Sequence, residues 1–371
     1  MQNANLSGGM FMADIIRKDK NNNMGTLHMI GALFVMLGHQ SALLGVSTPV
    51  ILGNPIQSIG VKLIFLISGY LITRSIWNIH GGGRVEISKI YLFKRIGRIY
   101  PEYIVCLLFS VLIIGPLCTE LAVKDYFGNY NIWLYFINNI RLCISYGLPE
   151  VFMNNPYVGA VNGSLWTIPV EIMLYIILWI IVIIPNNKKV SRHLYLVVSV
   201  LAICGLLIRI QFYQYNRAII YGTDWLQALD IMPYFIIGGL FYLYDLKKYV
   251  NIQLAAVGLF VFCGVTLESR FINELICMVV LSNFVMAVSL DEKQELKIRR
   301  INCECAYGMY LYGFVVQQFL ISKIYVEKQI HLNWLLLFVI SVICTYFLAL
   351  LSNWLIYKPV KNFIAKKCST L

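Results

Sequence analysis

The chain has 371 residues, of which 59% are hydrophobic and only 13% charged, and its mean hydropathy is +0.71. This composition excludes an ordinary soluble domain and is typical of a polytopic helical membrane protein. The net charge of +12 would suit a nucleic-acid binder, but its distribution among the loops indicates another role. The ten cysteines are scattered, without CxxC or Cys/His spacing, so we expect no metal site and no disulfide framework.

Continuous apolar segments, each long enough to span a bilayer, follow one another along the chain. They cover approximately residues 26–44, 59–77, 99–117, 164–184, 194–211, 226–244, 251–267, 271–289, 305–322 and 333–356. Because the apolar runs are continuous rather than alternating, they indicate helices and not the strands of a barrel. The sequence therefore predicts an all-α membrane bundle of about ten transmembrane helices over residues 26–357.

The lysines and arginines predict the orientation of these helices. With the N-terminus placed inside, 21 of the 30 basic residues fall in cytoplasmic segments and six in external ones. Both ends are then cytoplasmic: a segment 1–25 before the bundle and a tail 358–371 after it. The N-terminal segment resembles a signal peptide but lacks a convincing cleavage site, so we expect an uncleaved first helix. The charge is thus first a topology signal, and we expect no nucleic-acid partner.

The first apolar segment carries two histidines, His28 and His39. They are eleven residues apart, which is about three helical turns, so both imidazoles lie on one helix face. Ionisable groups in a membrane helix tend to face the bundle interior or a wet cavity. This pattern predicts a reaction site with His39 deep and His28 nearer the inner end. The alternative is that His39 only packs and that His28 sits at the interface.

An acidic residue, Glu171, lies about two turns into the fourth segment, just after Pro169. A carboxylate at this depth needs a cation, a proton or a hydrogen-bond partner. Counting about 1.5 Å per residue places Glu171 and His39 in the outer half of the bilayer, where they could meet. Such a pair makes a general base whose tautomer the carboxylate fixes. The alternative is a pair that only holds two helices together.

A basic cluster of Lys94, Arg95 and Arg98 marks the inner mouth of the third segment. Arg95 and Arg98 are three residues apart and share a helix face, which makes a fork for phosphate groups. Anchoring to anionic headgroups is the alternative. In the second segment, Lys62 could bind an anion or extend its amine to the interface, and Ser68 with Gly69 allows close helix approach.

The longest external segment, from about 118 to 163, is rich in asparagines and aromatic residues. These side chains suit sugar hydroxyls and ring faces, and they equally suit any ordered loop.

Five stretches, in order, resemble the motifs of membrane acyltransferase family 3, whose members O-acylate bacterial surface glycans. The stretches are His28 to His39, Gly60 to Leu71, Arg95 to Pro101, Asn162 to Glu171, and Ala306 to Val315. The resemblance runs from about His28 to Phe363. The chain departs from the family pattern in three places: His28 stands where Arg is usual, Gly313 where His is common, and Lys358-Pro359 where Glu-Pro is frequent.

The resemblance implies an O-acyltransferase of the bacterial inner membrane that uses acetyl-CoA, with no metal. The donor phosphates would lie on Lys94, Arg95 and Arg98. His39, oriented by Glu171, would serve as general base or as covalent acyl relay. The candidate acceptor contacts are Asn162, Trp166 and Ser68. The acceptor would be a lipid-linked or growing surface polysaccharide such as an O-antigen, an exopolysaccharide or a capsule.

Two other functions fit a polytopic chain of this size. A glycan transporter or flippase would show broken helices in paired halves and charges along a path. A membrane glycan polymerase would favour a large outer loop rich in arginine and acidic residues. The charge here is concentrated in one site and external arginines are sparse, which favours the transferase.

Overall fold

The computed structural model of the chain describes residues 23–79, 83–212, 218–265, 267–291, 302–330 and 332–368. Most of the predicted N-terminal cytoplasmic segment, two glycines of the triplet at 81–83 and the basic segment 292–301 lie outside the described residues.

Helices dominate the described chain, and two short hairpins join some of them. The helices are α1 Met24–Leu43, α2 Ile56–Trp77, α3 Arg84–Phe109, α4 Val123–Gly128, α5 Tyr130–Ile140, α6 Thr167–Ile183, α7 Lys188–Phe212, α8 Trp225–Leu243, α9 Ile252–Phe262, α10 Arg270–Ser289, α11 Ala306–Leu320, α12 Trp334–Ser352 and α13 Lys358–Cys368. The antiparallel hairpins pair β1 Val50–Ile51 with β2 Asn54–Pro55, and β3 Ile219–Ile220 with β4 Thr223–Asp224.

Wider π-helical turns extend three of the long helices. They follow α3, α11 and α12 at Ser110–Ile114, Ile321–Glu327 and Asn353–Tyr357, and a last helical turn, Gly115–Cys118, completes the α3 rod. A 3-10 turn precedes α9 at Leu246–Tyr249 and another precedes α11 at Cys303–Cys305.

This architecture agrees with the predicted all-α membrane bundle. Within the described ranges, seven helical rods are long and apolar enough to cross a bilayer, and two shorter apolar helices, α6 and α9, accompany them. Each predicted apolar segment coincides with a helix. The total of ten crossings and the cytoplasmic side of both termini stay predictions.

Glycines bring α1, α2 and α8 into close contact at the centre of the bundle. A Cβ added at Gly69 of α2 would lie 1.8 Å from the carbonyl oxygen of Phe235 on α8, and one at Gly238 would lie 1.9 Å from that of Leu66. A Cβ added at Gly60 of α2 would lie 2.5 Å from the Gly31 carbonyl oxygen of α1. Backbones approach this closely only where side chains are absent, which is the packing predicted for the small residues of α2.

The external segment between α3 and α6 folds back into the bundle. The Asn162 amide donates to the Leu311 carbonyl oxygen at 2.9 Å, and the hydroxyl oxygens of Thr167 and Tyr310 lie 2.6 Å apart. Tyr310 and Leu311 belong to the second turn of α11. In the first turn of the same helix, the Tyr307 hydroxyl donates to the Ile99 carbonyl oxygen of α3 at 3.2 Å. Helix α6 therefore begins inside the bundle and not at its outer surface.

The last helix, α13, returns to the inner end of α3. Ile364 is buried there against Gly97, where an added Cβ would lie 1.9 Å from the Ile364 Cδ1. The described part of the predicted cytoplasmic tail 358–371 is thus the helix Lys358–Cys368, which packs against α3.

Candidate active site

A cavity of about 470 Å³ lies between α1, α2, α3, α6, α11 and α13; we call it the inner cavity because the predicted topology places its basic residues on the cytoplasmic side. Its polar lining includes most of the predicted site: His28, Ser68, Lys94, Arg95, Arg98 and Glu171. Lys361 of α13 adds a cation that the sequence did not indicate. Val61, Ile64 and Phe65 of α2 supply an apolar wall beside these charges. The combination suits a ligand with an anionic head and an apolar arm.

The two predicted arginines, Arg95 and Arg98, differ in how completely the protein itself satisfies their guanidinium groups. Arg95 lies near the rings of Tyr91 and Tyr175, at 5.7 and 5.8 Å, and donates one bond to the Ser75 hydroxyl at 3.2 Å. Its buried Nε has no hydrogen-bond partner among the described residues. A buried donor without a partner is costly, so this Nε is a candidate contact for a group from outside the chain.

Arg98 is held more fully by the protein. Its guanidinium lies over the rings of Tyr307 and Tyr357, at 4.9 and 4.5 Å, and pairs with the Glu102 carboxylate at 3.4 Å. Glu102 in turn accepts a bond from the Ser352 hydroxyl at 3.2 Å. This arrangement fixes the position of Arg98 at the cavity wall, and a third of its side chain remains exposed to a ligand.

Glu171 accepts a short hydrogen bond from the Tyr175 hydroxyl, one turn further along α6. Because the Tyr175 ring also flanks Arg95, this bond links the carboxylate to the arginine. His28 is on the opposite wall. Its Nε2 lies 3.3 Å from the Ile64 carbonyl oxygen and 3.5 Å from the Ser68 hydroxyl. In the tautomer that carries hydrogen on Nε2, His28 donates to that carbonyl.

His39 faces a second cavity of about 670 Å³, called here the outer cavity. The edge of its ring meets the Phe314 ring at a centroid distance of 5.1 Å. Its Nδ1 is buried and has no hydrogen-bond partner among the described residues. A buried imidazole nitrogen without a partner is available to accept a proton from a bound molecule.

The structure does not pair His39 with Glu171 as the sequence predicted. Glu171 lines the inner cavity and His39 the outer one, and the carboxylate accepts its hydrogen bond from Tyr175. The depth count failed because it started α6 at the outer surface. In the structure α6 begins at Thr167, whose hydroxyl meets that of Tyr310 inside the bundle, and Glu171 follows four residues later. Glu171 therefore belongs with Arg95, not with the histidine.

The two cavities adjoin. Val61 of α2 and Tyr310 of α11 line both of them. His39 thus lies across a wall of these two side chains from the basic inner cavity. His28 and His39 line different cavities, whereas the sequence predicted a single reaction site along their shared helix face.

The predicted acceptor contacts divide among three places. Trp166 lines the outer cavity, whereas Ser68 lines the inner one. Asn162 is 1% exposed; its amide donates to Leu311, and its Oδ1 accepts from the Ser164 backbone at 3.0 Å. The hydrogen-bonding groups of its side chain therefore have partners within the protein. They fasten the segment between α3 and α6, called here the re-entrant segment, to α11. This geometry gives Asn162 a structural position.

Four charged residues that sequence reasoning did not assemble meet beside the outer cavity, and three of them, Arg209, Asp230 and Glu274, line it. Lys62 is fully buried and pairs with Asp230 at 3.1 Å and with Glu274 at 2.9 Å. Arg209 pairs with the same two carboxylates at 3.3 and 3.4 Å. We call these residues the charge quartet; they join α2, α7, α8 and α10. Each is a buried charge in a predicted membrane-spanning segment, which is the signal that indicates mutual pairing.

Comparison with known proteins identifies the family of the chain. Residues 22–354 match the family described as Acyltransferase domain. The chain is also similar to an O-acetyl transferase of Shigella phage Sf6, with 26% identity over 311 residues, covering 82% of this chain and 87% of the relative. No solved structure matches the chain. The chain therefore belongs to the acyltransferase domain family, and it is a membrane O-acyltransferase.

Proposed function

We propose that the protein transfers an acetyl group from acetyl-CoA on the cytoplasmic side to a sugar hydroxyl of a bacterial surface polysaccharide, in the cell's inner membrane. One observation carries the proposal: a basic inner cavity and a histidine-bearing outer cavity share a wall formed by Val61 and Tyr310. This layout suits a donor and an acceptor that approach from opposite sides. The similarity to the phage O-acetyl transferase supports acetyl as the acyl group.

The residues of the inner cavity fit a coenzyme A thioester. Lys94, Arg95, Arg98 and Lys361 surround it with cations that suit phosphate groups. The unpartnered Nε of Arg95 would be satisfied by such an anion. Ile64 and Phe65 offer the apolar surface that a pantetheine arm needs as it extends toward Val61. When bound, the thioester supplies an activated acyl carbonyl.

His39 supplies the base on the acceptor side. In the direct mode, its Nδ1 takes the proton of a sugar hydroxyl, the oxygen attacks the thioester carbonyl, and a C–O bond forms as the C–S bond breaks. The proton then goes to the departing sulfur, so the products are the O-acetyl sugar and the free thiol. In the relay mode, His39 carries the acetyl group itself between the two cavities. Both modes need the imidazole at the shared wall.

Glu171 acts on the donor side in this account. Its bond to Tyr175 fixes the ring that flanks Arg95, so it positions the cation that would hold the donor. Trp166, on the wall of the outer cavity, offers an aromatic face to the acceptor sugar.

The test is mass spectrometry of the surface glycan from the producing strain, with and without the gene. We expect deletion to remove one acetyl mass per modified repeat while chain length and export stay normal. The same strain complemented with the gene is the control. Shortened or retained chains would instead indicate a polymerase or a flippase and would overturn the proposal.

A further inference from the structure

A third cavity, of about 820 Å³, opens beside the outer cavity and is called here the distal cavity. Trp166 and Gln227 line both, so the two cavities adjoin at these side chains. The other walls of the distal cavity come from the re-entrant segment, including Tyr146 and Tyr157, and from the β3–β4 hairpin. The distal cavity therefore lies on the far side of Trp166 from His39.

The hairpin is fastened to the re-entrant segment, so this wall is preformed. The Tyr146 hydroxyl donates to the Gly222 carbonyl oxygen at 2.6 Å, and the Ile144 backbone donates to that of Tyr221 at 2.7 Å. Gly222 has a φ of +75°, and a Cβ there would lie 1.9 Å from the Ile144 carbonyl oxygen. Burial raises the pKa of Tyr146 to about 12, so the phenol stays protonated and keeps donating at neutral pH.

The chemistry of the distal cavity differs from that of its neighbours. Three aromatic side chains line it, Tyr146, Tyr157 and Trp166. Among the described residues that line it, the charged one is Asp224, whose Oδ1 already accepts from the backbone of Leu226 and Gln227 at 3.1 and 3.3 Å. The lining thus offers ring faces, carbonyls and an amide but no cation for a phosphate. These are contacts for a neutral sugar ring.

We propose that the distal cavity binds the sugar unit adjacent to the one that is acetylated, so that the acceptor is a glycan chain of at least two sugars and not a nucleotide sugar. The outer cavity, at about 670 Å³, and the distal cavity each have the size of a pocket for one small ligand. A chain lying through both passes Trp166 and presents one hydroxyl to His39. This inference rests on the proposed function, because it assigns the acceptor of the same reaction.

The test blocks the distal cavity and leaves the outer cavity open. Val158 lines the distal cavity and is 58% exposed, so Val158→Trp adds bulk there without disturbing the core. Val123 has the same exposure, lies on α4 of the same external segment and is absent from the linings of all three cavities, so Val123→Trp is the matched control. The purified full-length enzyme is assayed with radiolabelled acetyl-CoA and the deacetylated glycan of the producing strain, fractionated into single sugars and oligosaccharides.

We expect the wild type and Val123→Trp to prefer oligosaccharides over single sugars. Val158→Trp should lower kcat/KM for oligosaccharides about tenfold and leave the slower transfer to single sugars unchanged. Equal transfer to both acceptors by the wild type, or an equal loss on both in Val158→Trp, would overturn the assignment while the proposed function stands. Preference for a nucleotide sugar would overturn it as well. If the wild type acetylates no saccharide, the proposed function itself fails.

Discussion

Replacing Lys62 with Met should destabilise the protein strongly, because it leaves two buried carboxylates with one cation. The Lys62 amine lies 3.1 Å from Asp230 and 2.9 Å from Glu274, and none of it is exposed. Each pair is worth about 5 kcal/mol of Coulomb attraction at an effective dielectric constant of about 20, most of which offsets desolvation. Breaking such a buried pair typically costs about 3–5 kcal/mol of folding free energy. Unfolding of the purified protein in mixed detergent micelles, followed against denaturing detergent, measures the loss.

The control restores charge balance. Lys62→Met with Asp230→Asn leaves Arg209 and Glu274 as a neutral pair, which are 3.4 Å apart. We expect the double variant to lose less unfolding free energy than the two single variants lose together, and the difference, which is the coupling energy, should be about 1–3 kcal/mol. Wild-type stability of Lys62→Met, or additive losses in the double variant, would refute the reasoning that the quartet acts as one charge-balanced unit.

Three further predictions concern the inner cavity and the helix contacts. Arg95→Ala should raise the KM for acetyl-CoA about tenfold or more. Arg95→Lys should restore only part of the lost donor affinity, since lysine lacks the planar guanidinium that binds phosphate in two places. Donor saturation curves measure both KM values, and an unchanged KM in both variants would argue against a donor contact. Tyr175→Phe keeps the ring beside Arg95 but loses the bond to Glu171, so its donor KM should rise less than that of Tyr175→Ala; equal effects would mean that the ring does not position Arg95. Gly69→Ala should prevent folding, because its Cβ would lie 1.8 Å from the Phe235 carbonyl oxygen. Gly258→Ala, which has open space around the added Cβ, should fold normally. Size-exclusion chromatography distinguishes the two outcomes, and a monodisperse Gly69→Ala protein would contradict the packing.

The helices could be read from the sequence because apolar runs are a local property. Every predicted segment became a helix, and charge and spacing singled out Lys94, Arg95, Arg98 and His39, each of which lines a cavity. The three basic residues line the inner cavity together because they lie in the third and fourth turns of one helix, α3, so their spacing already places them close to one another.

The partner of Glu171 could not be read in the same way. Its depth depends on where α6 starts, and that start depends on a segment held inside the bundle by Asn162 and Leu311. These two residues are 149 positions apart, so no local pattern reveals their bond. The same bond explains why Asn162 was predicted as a sugar contact: an asparagine in an external loop and one anchoring that loop look alike in sequence.

The charge quartet was missed for a related reason. Its members lie on four helices, and the sequence shows only four isolated charges in apolar surroundings. Of the two predictions for Lys62, extension to the interface is wrong because the amine is fully buried, whereas the anions that it binds are the carboxylates of Asp230 and Glu274 on other helices. Ionisable residues in membrane helices are better considered together, as a set that must balance.

The central claim is that acetyl transfer requires the imidazole of His39 at the wall between the two cavities. The most direct measurement is radiolabelled acetyl transfer from acetyl-CoA to the deacetylated surface glycan by purified His39→Ala protein, with its yield and elution profile matched to the wild type. The account predicts transfer reduced by about a thousandfold or more, to the background of the assay. Transfer at the wild-type rate in that variant would contradict it.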